Sequence, residues 1–79
     1  MSSYLVAYSP QSQRALVAVP SSMREEIEAK IERYANAQHN LTDGRYREHE
    51  VRGSGFVATC TIRHDVHRLT VLQIKVRMH

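Results

Sequence analysis

An α+β fold, built as an N-terminal strand, two helices and then a three-stranded antiparallel meander, is predicted by three observations on the sequence. A short apolar run, Tyr4-Leu5-Val6-Ala7-Tyr8, is rich in β-forming side chains and stops at Ser9-Pro10. Apolar residues then recur at helical spacing as far as Ala35. From Arg45 to Val76 the pattern changes to an alternation of period two. A chain of 79 residues has room for one core, because a domain of this size buries only about 60–65% of its unfolded surface. Residues 1–79 are therefore read as a single domain whose function sits on one surface or in one shallow groove.

Each element has a local cause. Ser9 is placed to cap a first helix, with Pro10 at the first helical position where its missing N–H is no loss. Residues Gln11 to Val19 then set Ala15, Leu16 and Val19 on one face, and Pro20 ends the helix. Ser22-Met23-Arg24-Glu25 has the Ser-x-x-Glu pattern of a capping box, which predicts that a second helix starts there. Its apolar positions, Met23, Ile27, Ile31, Tyr34 and Ala35, form one stripe, opposed by Glu25, Glu28, Glu32 and Arg33. Asn36 to Gly44, rich in turn formers, reads as a connection within the domain. Tyr46 to Arg52 and Phe56 to Arg63 read as strands around a Gly53-Ser54-Gly55 hairpin, with Phe56, Ala58, Cys60 and Ile62 inward. After a turn at His64 to His67, the strand Arg68 to Val76 is expected to put Leu72, Ile74 and Val76 on one face and Gln73, Lys75 and Arg77 on the other.

Charge is distributed unevenly. Residues 1–44 carry four basic and five acidic side chains, a net −1, whereas residues 45–79 carry seven basic and three acidic, a net +4. If the second half is one sheet, that excess can gather on one face and attract a polyanion or an acidic protein segment; the plainer reading is that scattered arginines keep a small domain soluble. Cys60 is the sole cysteine, so the chain forms no internal disulfide and no thiolate zinc cage, which points to a reducing, cytoplasmic setting. The opening residues lack a basic region followed by a long apolar run, and no apolar stretch approaches 18 residues, so neither secretion nor a membrane partner is expected.

The order of elements, the segment Gly44-Arg45-Tyr46-Arg47-Glu48-His49-Glu50-Val51-Arg52-Gly53-Ser54-Gly55-Phe56 and the closing Leu69-Thr70-Val71-Leu72-Gln73-Ile74 resemble the RelE/ParE superfamily of bacterial toxins. The paired helical segments, Ser9 to Leu16 and Pro20 to Ile31, resemble that family as well. The resemblance implies a type II toxin held inactive by a cognate antitoxin. One branch of the superfamily cuts mRNA on the ribosome and another poisons DNA gyrase. In the RNA-cutting branch, basic residues on the strand before the glycine turn, an arginine just after the aromatic that follows it, and a basic or histidine group at the end of the last strand line the groove. This chain has Glu48 and Glu50 flanking His49 on that strand, Val57 after Phe56, and Arg77 and His79 at the end.

Cleavage of RNA by its own 2′-OH needs a base of near-neutral pKa, cations on the scissile phosphate and an acid for the leaving oxygen. His49 and His79 have the titration range for base and acid, with Arg77 beside them, and Arg45, Arg47, Arg52 and Lys75 are the candidate RNA-binding cations. The plainer alternative makes His49 an exposed strand residue and His79 a frayed end. His64-Asp65-x-His67 has metal-ligand types, but one turn supplies three ligands at most, so no metal and no other cofactor is expected. Cys60 lies in the inward register, where a small buried hydrophobe is expected rather than a nucleophile. Glu48 and Glu50 beside arginines read as a solvated ion-pair face. The expected function is a ribosome-dependent mRNA endoribonuclease with mRNA, the ribosome and an antitoxin as partners. The alternatives are a gyrase poison or non-nuclease relative, and a plain nucleic-acid-binding or antitoxin-binding module.

Overall fold

The structure, a computed structural model, describes residues 4–37, 48–63 and 65–77. The elements in chain order are β1 (Leu5–Tyr8), α1 (Pro10–Val17), α2 (Ser21–Asn36), β2 (Glu48–Gly53), β3 (Phe56–Arg63) and β4 (Arg68–Val76). The α+β class and the element order are those expected. The sheet, however, is a single four-stranded mixed sheet of order β1-β4-β3-β2, not a three-stranded antiparallel meander. β2, β3 and β4 pair antiparallel, and β1 joins parallel to β4 with Leu5 opposite Arg68 and Tyr8 opposite Val71. Parallel pairing follows from the two-helix crossover, which returns the chain to the sheet in the direction in which it left.

Ser9 caps α1 as expected: its hydroxyl accepts the Ser12 N–H at 3.1 Å, and Pro10 occupies the first turn. The capping box at Ser22 does not form. Pro20, extended at φ −59° and ψ 154°, is the N-cap instead, and its carbonyl accepts the Arg24 N–H at 3.0 Å, so α2 starts at Ser21 and Ser22 already lies inside the first turn. The Arg24 guanidinium turns back to donate Nε–H to the Leu16 carbonyl at 2.9 Å, covering a carbonyl at the end of α1.

Leu16 and Val19 with Ile27, Ile31 and Ala35 press on the sheet residues Val51, Phe56, Ala58, Cys60, Ile62, Leu69, Val71 and Ile74 in one core. Both helices therefore cover the same sheet face. The inward alternation of Phe56, Ala58, Cys60 and Ile62 holds.

The expected alternation of β4 fails in its first half. Leu69 and Val71 are fully buried while Leu72 is half-exposed, because a bulge opposite Thr59 and Cys60 leaves Leu72 without a strand partner. One extra residue reverses the phase of everything after it. Ile74 and Val76 thereby face the helices, and Gln73, Lys75 and Arg77 take the opposite side.

Candidate nucleic-acid interface

The sheet face away from the helices is built from the residues that alternate with the core. Along one row, Arg52 of β2 pairs with Val57 of β3, which pairs with Lys75 of β4. Arg77 follows at the same phase, and its N–H donates to the Gly55 carbonyl at 2.8 Å, tying the end of β4 to the β2–β3 turn. Gly55 has φ +88°, a conformation that glycine takes without strain. At Gly53 a Cβ would run into Cε1 and Cζ of Phe56, so glycine is required for that ring to lie across the hairpin. A cavity of about 200 Å³ opens at this end, lined by Arg52, Gly53, Gly55, Phe56, Val57 and Arg77. Arg52 and Arg77 thus border one hollow.

Arg52 donates to Glu50 Oε2 through Nε at 3.2 Å and through a terminal nitrogen at 2.9 Å. Both side chains are more than half exposed, at 75% and 53%. Such a pair contributes only about 0–1 kcal/mol, so a phosphate can displace the carboxylate at little cost. This is the solvated ion-pair face that the sequence suggested for Glu50.

The position of His49 is different. It pairs with Cys60 and shares the phase of Val51, so its ring lies on the helix side, with Nδ1 2.9 Å from the Tyr34 hydroxyl and the two rings 6.1 Å apart. The sheet separates it from Arg52 and Lys75. That separation was readable in principle, since Val51 two residues on is a core residue and residues two apart share a strand face. Tyr34, expected only as part of an apolar stripe, is the polar partner that the sequence reading missed. Arg45, Arg47 and His79 lie outside the described residues, as does His64.

Other reactive side chains have structural surroundings. Cys60 is fully buried, and burial pushes its thiol up to about 11, the state of a core residue rather than a nucleophile. In the β3–β4 turn, Arg63 donates to Asp65 at 2.9 Å and holds that carboxyl below its ordinary value, and the His67 ring lies 5.1 Å from that of Tyr4. Among the described residues no three His, Cys, Asp or Glu side chains converge to hold a metal ion, and no helix is long and apolar enough to cross a membrane.

No protein-family model matches the sequence, and no curated protein sequence matches it. Solved structures do. The RelBE2 toxin–antitoxin complex from Mycobacterium tuberculosis includes a chain matched with a TM-score of 0.76 at 14% identity, over 96% of this chain and 100% of that one. The archaeal RelE–RelB complex from Pyrococcus horikoshii OT3 gives 0.72 at 15% identity, over 96% and 97%. The intact RelBE toxin–antitoxin complex from E. coli gives 0.68 at 14% identity, over 96% and 98%. The fold is therefore that of the RelE-like toxins, along nearly the whole chain. At such low identity the likeness is one of fold, and function has to come from the site.

Proposed function

We propose that the chain is a type II toxin that binds mRNA on the open sheet face and cleaves it in a ribosome-dependent manner, and that a cognate antitoxin neutralises it. The observation that carries this reading is the convergence of Arg52, Lys75 and Arg77 on one side of a RelE-like sheet, with Arg52 and Arg77 around a common cavity. Cations so placed hold a phosphodiester and stabilise the charge that develops on it. In this reading His79, two residues beyond Arg77 in the sequence, supplies proton transfer. His49, held by Tyr34 on the helix side of the sheet, does not touch RNA in this reading. The antitoxin contributes an acidic segment to the same basic face, so the complex weakens as salt rises.

A second reading, a non-nuclease relative that acts by binding alone, is favoured by two features. Val57 occupies the middle of the cation row, and His49 is on the far side of the sheet. Mapping mRNA 5′ ends after induced expression separates the two. The first predicts new cuts in phase with codons, abolished when translation is blocked. Growth arrest with an unchanged 5′-end profile would exclude it and leave the second.

A further inference from the structure

Apart from Glu26, which shares the helix face of Lys30, the charges of α2 from Glu25 to Arg33 are sorted to its two flanks. Glu28, Glu32 and Asn36, four residues apart, line a groove against β1 with Tyr4, Leu5, Val6 and Tyr8. Lys30, Arg33, Tyr34 and Ala37 instead line a cleft of about 300 Å³ on the β2 side, completed by Glu50, Val51 and Arg52. Arg52 therefore borders both this cleft and the hairpin cavity that holds Arg77. The one carboxylate in the cleft, Glu50, is engaged by Arg52, whereas no ion pair holds Lys30 or Arg33 among the described residues. Both are exposed.

We propose that an RNA strand held by Arg52 and Arg77 continues over the edge of β2 into the cleft against α2, where Lys30 and Arg33 take its next phosphates. This rests on the RNA-binding reading and adds a path to it. Three cations against one already paired carboxylate give the cleft a positive potential. Tyr34, Ala37 and Val51 offer an apolar floor against which a ribose or base can lie. The acidic flank at β1 repels the strand from the opposite edge of the sheet, so the path has one direction: from the hairpin, across β2, onto α2.

The test is binding of the full chain to an unstructured single-stranded RNA of about 12 nucleotides across a salt series. Each lost phosphate contact lowers the slope of log affinity against log salt by about 0.7 for single strands, so Lys30→Ala with Arg33→Ala should reduce it by about 1.4. Arg14→Ala, on the outer side of α1 with Pro10, Gln13 and Val17, removes a charge elsewhere and should leave the slope unchanged. Circular dichroism confirms that each variant is folded. An unaltered slope in the double variant, with Arg52→Ala and Arg77→Ala still lowering it, overturns the path and leaves RNA binding at the hairpin standing. An equal loss in Arg14→Ala reduces the effect to net charge and also overturns it. No binding by the wild-type chain overturns the path, while the mapping of mRNA 5′ ends decides the ribosome-dependent reading by itself.

Discussion

Replacing Ser9 by alanine perturbs the joint between α1 and the β4 bulge, and the cost follows from the hydrogen bonds that meet there. The Ser9 hydroxyl accepts the Ser12 N–H at 3.1 Å and, having one proton, donates it to the Leu72 carbonyl at 2.7 Å in preference to the Ser12 hydroxyl at 3.2 Å. Loss of the cap costs about 1 kcal/mol, and a part-buried carbonyl stripped of its donor costs a further 1–3 kcal/mol or so. Ser9→Ala should therefore destabilise by about 2–4 kcal/mol, roughly 10–30 °C in Tm for a domain this small. Ser12→Ala should cost about 1 kcal/mol. The single hydroxyl proton of Ser12 is shared between the Ser9 carbonyl at 2.9 Å and the Val71 carbonyl at 3.0 Å, and each of those carbonyls keeps a backbone N–H, of Gln13 and Ser9 respectively, at 2.9 Å. Ser9→Asp separates the two parts, since a carboxylate can cap but has no proton for Leu72. Urea unfolding with a constant slope measures all three variants. If Ser12→Ala proves as costly as Ser9→Ala, or Ser9→Asp restores full stability, the Leu72 hydrogen bond is not what holds the bulge.

Further expectations concern the core, the titrating groups and the hairpin. Ile31 is fully buried, so Ile31→Ala should cost about 2–4 kcal/mol by the cavity it leaves; a loss under about 1 kcal/mol would mean that the site collapses without penalty. Burial raises the Cys60 thiol from 9.0 to about 11. Burial, helped by Glu28 and Glu32, raises the Tyr8 hydroxyl from 10.0 to about 12. In both cases the unfolded chain releases its proton first, so stability is full below pH 9 and falls as pH rises towards 12. Cys60→Ala should flatten the first part of that fall and Tyr8→Phe the second, as read by urea midpoints across the range. Gly53→Ala displaces the Phe56 ring and should weaken RNA binding along with stability. Binding that stays intact in a destabilised Gly53→Ala variant would dissociate the hairpin cavity from the interface.

Much of the architecture is legible in single residues. Ser9-Pro10 marks the start of α1 because a hydroxyl cap and a preset φ are local properties. The strands β3 and β4 begin and end where the alternation does. Local signals misled where two of them competed: Ser22 has the right spacing for a capping box, but Pro20 starts the helix first. The site was less legible. Arg52, Lys75 and Arg77 were identifiable as cations, yet their meeting depends on pairing between strands far apart in sequence, and His49 was placed with them although strand phase sets it on the other side.

The amino-acid sequence by itself determined the helices, the strands, the turn glycines and the composition of the core, because helix caps, backbone φ preferences and hydrophobic period act within a few residues. Only the tertiary structure decided how the core-facing phase of β4 passes from Leu69 and Val71 to Ile74 and Val76. That depended on one unpaired residue, Leu72, whose carbonyl and that of Val71 are satisfied by serines about 60 positions earlier. Read as a pattern of types, the apolar positions of β4 change phase between Val71 and Leu72. Which residue is squeezed out of the ladder is set by partners that meet only once the chain has folded.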